Sequence, residues 1–217
     1  MFPDVIETDR LRLQRFSRET IGTLDLYEYT AKTDSIDEET RYVTWNPHAT
    51  PKETWDFLTR MEEAWEEREN ATYAVFPREG EERAGEFAGN TGFGIDWDKR
   101  KATLGIWLRK PFWGRGYSGE RAGALLQLAF DRLDLEVVDV GHVPDNEQSQ
   151  RAIEKYVEKY GGRHDGVLRN WQITDGEPVD LQQYSISQEE WREAVGDERE
   201  ARFLEAHQES EKSDVDT

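Results

Sequence analysis

Lys110-Pro111-Phe112-Trp113-Gly114-Arg115-Gly116-Tyr117-Ser118-Gly119-Glu120 links an apolar run, Ala102 to Leu108, to a segment in which Ala122, Leu125, Leu126, Ala129 and Leu133 recur three or four residues apart. The first has the composition of a strand and the second the spacing of a helix face. A strand, a glycine turn and a helix start in succession make an anion site. Glycines let the main chain pass close to a ligand and turn its N–H groups toward it, and the helix N-terminus adds partial positive charge. Charge agrees locally. From Lys99 to Arg121 seven basic residues face Glu120 alone, a local +6 in a chain of net charge −19. The expected guest is a phosphate.

A solvated basic turn beside an ordinary helix start is the plainer alternative. Gly114, Gly116 and Gly119 also spell G-x-G-x-x-G, the dinucleotide fingerprint. That loop follows its strand directly inside a βαβ unit, whereas here Arg109 to Trp113 intervene. The preceding strands, about Glu86–Trp97 and Ala102–Leu108, are joined by a short charged turn, which predicts an antiparallel meander. A Walker loop is excluded because no G-x-x-x-x-G-K-[ST] occurs.

The stretch Gly105-Ile106-Trp107-Leu108, then Phe112-Trp113-Gly114-Arg115-Gly116-Tyr117 and Glu120, resembles the RimJ/RimL branch of the GNAT superfamily of acyl-CoA N-acyltransferases, which acetylates ribosomal-protein N-termini. The superfamily's loop is Q/R-x-x-G-x-G/A. This chain has Trp113 first and Ser118 last, departures familiar within that branch. The resemblance implies acetyl-CoA as co-substrate, held by Ile106, Trp107, Leu108, Arg109, Trp113, Gly114, Arg115, Gly116, Tyr117, Ser118 and Gly119. It also implies the GNAT fold, a mixed α+β class: a central, mostly antiparallel twisted sheet with splayed middle strands, flanked by helices.

Other segments fit this picture. Ile6-Glu7-Thr8-Asp9-Arg10-Leu11-Arg12-Leu13 resembles the branch's T-x-R-L-x-L-R opening and alternates as a first strand. Ser17 is expected to cap a helix carrying Ile21, Leu24 and Leu26. Thr50, Pro51 and Glu53 form a capping-box start for a helix with a buried stripe of Trp55, Leu58, Met61 and Trp65. Asn146 and Ser149 fit the family's second motif, N-x-x-S at a helix head, whose Asn bonds the pantetheine arm; Asn146 is equally a good N-cap. Gly161-Gly162 comes about one turn later than the family's Gly-Phe pair. A closing hairpin, Gly166–Gln172 and Val179–Ile186, turns at Asp175-Gly176. The resemblance spans about residues 5 to 187.

One domain, 1–187, is therefore expected, followed by an acidic C-terminal helix and tail, 188–217, disordered from Glu209 to Thr217. The chain has no cysteine, so disulfides, thiolate metal sites and cysteine nucleophiles are excluded, and no metal is expected. No apolar run reaches the ~18 residues of a membrane span, and Met1-Phe2-Pro3-Asp4 lacks a signal peptide's regions. A cytoplasmic protein that binds neither membrane nor nucleic acid is expected. Its 47 Asp and Glu against 28 basic residues, only eight of them Lys, accompany 12% aromatic content. This combination points to a folded acidic surface of halophilic, haloarchaeal type rather than to disorder.

Acetyl transfer from a thioester to an amine needs donors for the oxyanion, a neutral amine and a proton for the departing thiolate. Relatives carry a carboxylate where this chain has Thr103, and the ribosomal branch places a glutamate where Gln172 aligns. With both missing, Ser149 is the expected acid with Tyr156 second, Gln172 is expected to hold a water, and Trp45 and Thr103 are expected to line the acceptor side. His142 is a weaker candidate base. Three functions stay open: acetylation of a protein N-terminal α-amine, acetylation of a small amine, and a non-catalytic acyl-CoA-binding regulatory module. A homodimer is compatible with each.

Overall fold

The computed structural model describes residues 1–174 and 176–205. Asp175 of the hairpin turn and the segment Glu209 to Thr217, expected to be disordered, lie outside the described residues. The described strands are β1 (Val5–Glu7), β2 (Leu11–Arg15), β3 (Asn70–Pro77), β4 (Gly89–Asp96), β5 (Lys101–Leu108), β6 (Val137–His142), β7 (Arg163–Thr174), β8 (Glu177–Ser187) and β9 (Arg202–Leu204). They form one sheet in the order β7-β8-β6-β5-β4-β3-β2-β1-β9. Each described neighbour pair is antiparallel except β5 with β6, which are parallel.

Pleating sorts the side chains onto two faces. On one face Leu11, Leu13, Tyr73, Val75, Phe93, Ala102, Leu104, Val138 and Val140 pack beneath α4 (Tyr117–Gln127) and α5 (Glu147–Lys159). On the other, Ala74 and Trp107 join Phe16, Leu26, Ile36, Leu58 and Phe87 beneath α1 (Thr23–Ala31), α2 (Ile36–Thr40) and α3 (Pro51–Glu66). α4 is the crossover from β5 to β6, and it continues as a π-helical turn, Leu128–Arg132.

The one parallel pairing is short. It covers Lys101↔Val137, Ala102↔Val138 and Thr103↔Asp139. Beyond Thr103, β5 stays with β4 as far as Leu108↔Gly89, and beyond Asp139, β6 stays with β8 as far as His142↔Gln182. The facing edges Leu104–Leu108 and Val140–His142 are therefore not bonded to each other, and a cleft opens between them.

Three local expectations are corrected. α1 starts at Thr23 rather than after Ser17, because Ser17 closes its own turn, accepting from Thr20 and Ile21 N–H groups through its carbonyl. Thr50 does cap α3, but Glu53 reaches back to the Ala49 N–H at 2.8 Å. Trp55 is 49% exposed, with the Arg18 guanidinium 4.2 Å from its ring, while Thr54, Leu58 and Trp65 take the buried stripe.

The segment after Ser187 is built into this body as far as it is described. Ser187 and Glu190 form a reciprocal capping box for α6 (Gln188–Val195), whose Trp191 is 2% exposed and packs against Phe130. β9 then closes on β1.

Candidate active site

The glycine loop sits where β5 hands over to α4. Gly114 and Gly116 hold φ of +74° and +80°, left-handed conformations that favour glycine, and Gly116 is the α4 N-cap. Gly119 and Glu120 N–H groups close back onto the Gly116 carbonyl at 3.1 and 3.3 Å. The N–H groups of Arg115, Gly116, Tyr117 and Ser118 donate to no acceptor among the described residues. Four adjacent donors at a helix start fit a diphosphate, whose oxygens accept only. Gly119 supplies no free donor, its N–H being used within the turn, and a Cβ built there meets nothing within 4 Å.

The opening motif has a physical role here. Glu120 accepts from Thr8 Oγ1 at 2.6 Å, Arg10 N–H at 2.8 Å and Arg10 Nε at 2.7 Å. Arg10 Nη1 donates to the Arg115 carbonyl at 3.0 Å. The turn between β1 and β2 thus clamps the loop from below and keeps its N–H groups outward.

Side-chain charge is arranged otherwise than expected. Arg115 pairs with Glu82 at 2.8 Å, and Lys110 pairs with Glu38. Arg109 is 9% exposed, donates to the Phe87 carbonyl and lies 3.9 Å from the Tyr29 ring centroid, so only its main chain is available to a cofactor. Alternation along β5 explains this, because Thr103, Gly105, Trp107 and Arg109 all point to the α1–α3 face. Trp113 stacks no ligand-facing donor outward either; its indole Nε1 donates to the Leu108 carbonyl at 2.7 Å.

Ile106, Trp107 and Leu108 form the β5 side of the cleft. Thr91 Oγ1 donates to the Gly105 carbonyl at 2.8 Å and holds β5 to β4 at that height. Asn146 and Ser149 stand where β6 leads into α5. The Asn146 side-chain oxygen accepts from the Ser149 N–H at 3.0 Å, which caps the helix and leaves the amide NH2 free to donate. The half-buried Ser149 hydroxyl has no partner among the described residues.

Tyr156 is corrected from candidate acid to core residue. It is 1% exposed, packs on the α5 inner face, and its hydroxyl is enclosed without a hydrogen-bond partner. Burial also pushes the phenol's proton affinity up. His142 turns both ring nitrogens into protein: Nδ1 lies 2.9 Å from the Val143 carbonyl and Nε2 3.4 Å from Tyr184 Oη. Gln172 donates to Thr174 Oγ1 at 3.2 Å on β7, two strands beyond β6 in the sheet. His48 is structural, its Nδ1 between Thr54 Oγ1 at 2.8 Å and Thr30 Oγ1 at 3.1 Å, with burial lowering its proton affinity.

The α1–α3 face of the cleft carries what the sequence did not reveal. Thr103 is exposed there, and Trp45 meets Trp107 edge-on at 5.3 Å. Directly across from Thr103, on the same face, stands Asp139 at the last paired position before the strands part. Asp139 is 6% exposed; Oδ2 pairs with Lys101 Nζ, and Oδ1 is enclosed without a partner. A carboxylate is thus present at the vertex, across the strand pairing from Thr103. Beyond the cleft mouth lies a depression of about 520 Å³ lined by Arg41, Tyr42, Val143, Thr174, Val179 and Asp180 among others.

Comparison with known proteins bears on the family and the fold. The family model described as acetyltransferase (GNAT) domain matches residues 10–156. The uncharacterized N-acetyltransferase p20 of Bacillus licheniformis is 23% identical over 189 residues, covering 87% of this chain and 98% of its own. A GCN5-related N-acetyltransferase from Brucella melitensis superposes with a TM-score of 0.71 at 20% identity, over 88% of this chain and 81% of that one. RimL, a ribosomal alpha-N-protein acetyltransferase, superposes with a TM-score of 0.70 at 17% identity, over 86% of this chain and 96% of its own. At these identities the structural likenesses speak to the fold.

Proposed function

The chain belongs to the GNAT acetyltransferase family, whose members carry an acetyl group from acetyl-CoA to an amine, and we propose that its acceptor is the α-amine at a protein N-terminus. The observation that carries this reading is Asp139, a carboxylate with one free oxygen at the vertex of the splayed strands. A carboxylate is a weak base. An α-ammonium has a reference pKa near ~7.7–8.0 and a lysine ammonium near ~10.4, so taking the proton from lysine costs about 3 kcal/mol more. A site built on a carboxylate therefore favours α-amines. The name of RimL, which has the same fold, points to the same class of acceptor.

Acetyl-CoA supplies the activated thioester. The N–H groups of Arg115 to Ser118 hold its diphosphate, and the Asn146 amide together with the free edge of β5 aligns its arm in the cleft. The acceptor enters from the α1–α3 face past Trp45 and the depression beside Tyr42 and Asp180. The Asp139 carboxylate takes the ammonium proton through one water beside Thr103, and the neutral nitrogen then attacks the thioester carbon. Unpaired main-chain N–H groups of β5 face the developing oxyanion. Ser149 passes its hydroxyl proton to the departing thiolate and regains one from the nitrogen, which loses its second proton as the thioester C–S bond breaks and the amide forms. Gln172 and Thr174 order solvent at the cleft mouth.

The test is a pair of peptides of one sequence, one with a free small N-terminal residue and an acetylated lysine, the other with a blocked N-terminus and a free lysine. Mass spectrometry with fragmentation is expected to find the acetyl group chiefly on the α-nitrogen. Dominant lysine acetylation would reject the acceptor assignment.

The acidic surface supports a halophilic setting. Its net −19 repels itself at low ionic strength, and in molar salt the screening length falls to about 3 Å. Thermal unfolding is expected to move upward between dilute buffer and molar KCl. An unchanged or lower melting temperature would contradict this reading.

A further inference from the structure

Arg121 sits one turn into α4 and is 1% exposed, yet no carboxylate lies within ion-pair reach of it among the described residues. Its Nε and Nη1 are enclosed without acceptors. The polar group it meets is Tyr156 of α5, whose ring centroid is 5.8 Å from the guanidinium carbon; the two interact with each other, and the phenol has no other partner among the described residues. Burial pushes the guanidinium's proton affinity down from its ordinary value. An enclosed guanidinium and a phenol with unmet donors are costly to the fold. They are placed between α4, which starts at the glycine loop, and α5, which starts after β6.

Helical side chains lean back toward the helix N-terminus, which directs Arg121 toward the level of Tyr117 and Ser118. We propose that Arg121, assisted by the Tyr156 hydroxyl, is a buried counter-charge for the CoA diphosphate, drawn out between α4 and α5 when the anion seats on the loop. The inference rests on the acetyl-CoA reading above. It explains why the two cations beside the loop, Arg115 and Lys110, are committed to Glu82 and Glu38: the charge reserved for the ligand is the one without a carboxylate partner. It assigns Tyr156 to cofactor recognition and not to proton transfer.

A structural role and a ligand role predict opposite signs. Arg121→Met removes an unpaired buried charge while keeping the stem's volume, so the ligand-free melting temperature should rise, and CoA affinity by calorimetry should fall at least about tenfold, about 1.4 kcal/mol. Arg121→Lys should recover part of that affinity. Tyr156→Phe, a smaller change, should leave the ligand-free melting temperature unchanged or raised and weaken CoA severalfold. If Arg121→Met and Tyr156→Phe lower the melting temperature while CoA affinity equals that of the wild type, the pair is structural and the inference is overturned. Failure of the wild-type chain to bind CoA would overturn the acetyl-CoA reading itself. Wild-type binding with unaltered variants would overturn only the role of Arg121.

Discussion

Asp139→Asn should lower kcat/KM for a peptide with a free α-amine by about a hundredfold or more, with acetyl-CoA affinity unchanged. General-base assistance contributes roughly 10²–10⁴ to rate, and a hundredfold loss corresponds to ~2.7 kcal/mol of barrier. Asparagine has the same shape and cannot take a proton. The position restricts the effect to the acceptor half of the reaction, since Asp139 shares the α1–α3 face with Thr103 while the diphosphate donors lie at the start of α4. Raising the pH should recover part of the loss, because more of the amine is then neutral without help. Lys101→Met removes the partner of Asp139 but not the carboxylate, so it should cost less than Asp139→Asn. A variant that keeps wild-type kcat/KM across pH would remove Asp139 from the mechanism.

Gly116→Val should weaken acetyl-CoA binding by about a hundredfold. At φ +80° a β-branched residue is a steric outlier, and such strain is of order 1–3 kcal/mol. The built Cβ points at Arg10 Nη2, 3.5 Å away, so the backbone relaxes by turning the loop rather than by displacing the clamp. That rotation misdirects the N–H groups of Arg115 to Ser118. The rest of the chain should stay folded, because the anchors of the loop, Thr8 and Arg10 on Glu120, do not involve Gly116. Calorimetry on a variant with native circular dichroism checks this, and unchanged affinity would place the diphosphate elsewhere.

What the sequence disclosed and what it hid follow from the range of each interaction. The glycine loop is local: two residues needing left-handed backbone, a strand before and a helix after, all within a short run. The Asn146 cap and the Ser187 cap of the expected C-terminal helix are equally local, although where that helix packs is not. Trp191 packs on Phe130, a contact no nearby residue announces. The burial of Arg109 was in principle legible, since it continues the odd-numbered face of β5. Asp139 was not. Its importance depends on the register between β5 and β6, set by their separate antiparallel partners and by where the parallel pairing ends. The same holds for Tyr156, whose burial depends on how α5 is rotated against α4, a rotation the extra turn before Gly161 obscured.

The most direct measurement is a crystal structure of the chain with acetyl-CoA. The account predicts the diphosphate on the N–H groups of Arg115 to Ser118, the pantetheine arm between β5 and β6 with its thioester near Gly105, and Arg121 turned toward phosphate oxygen. Acetyl-CoA bound outside the splayed strands, or a diphosphate held by exposed side chains away from the α4 N-terminus, would contradict it.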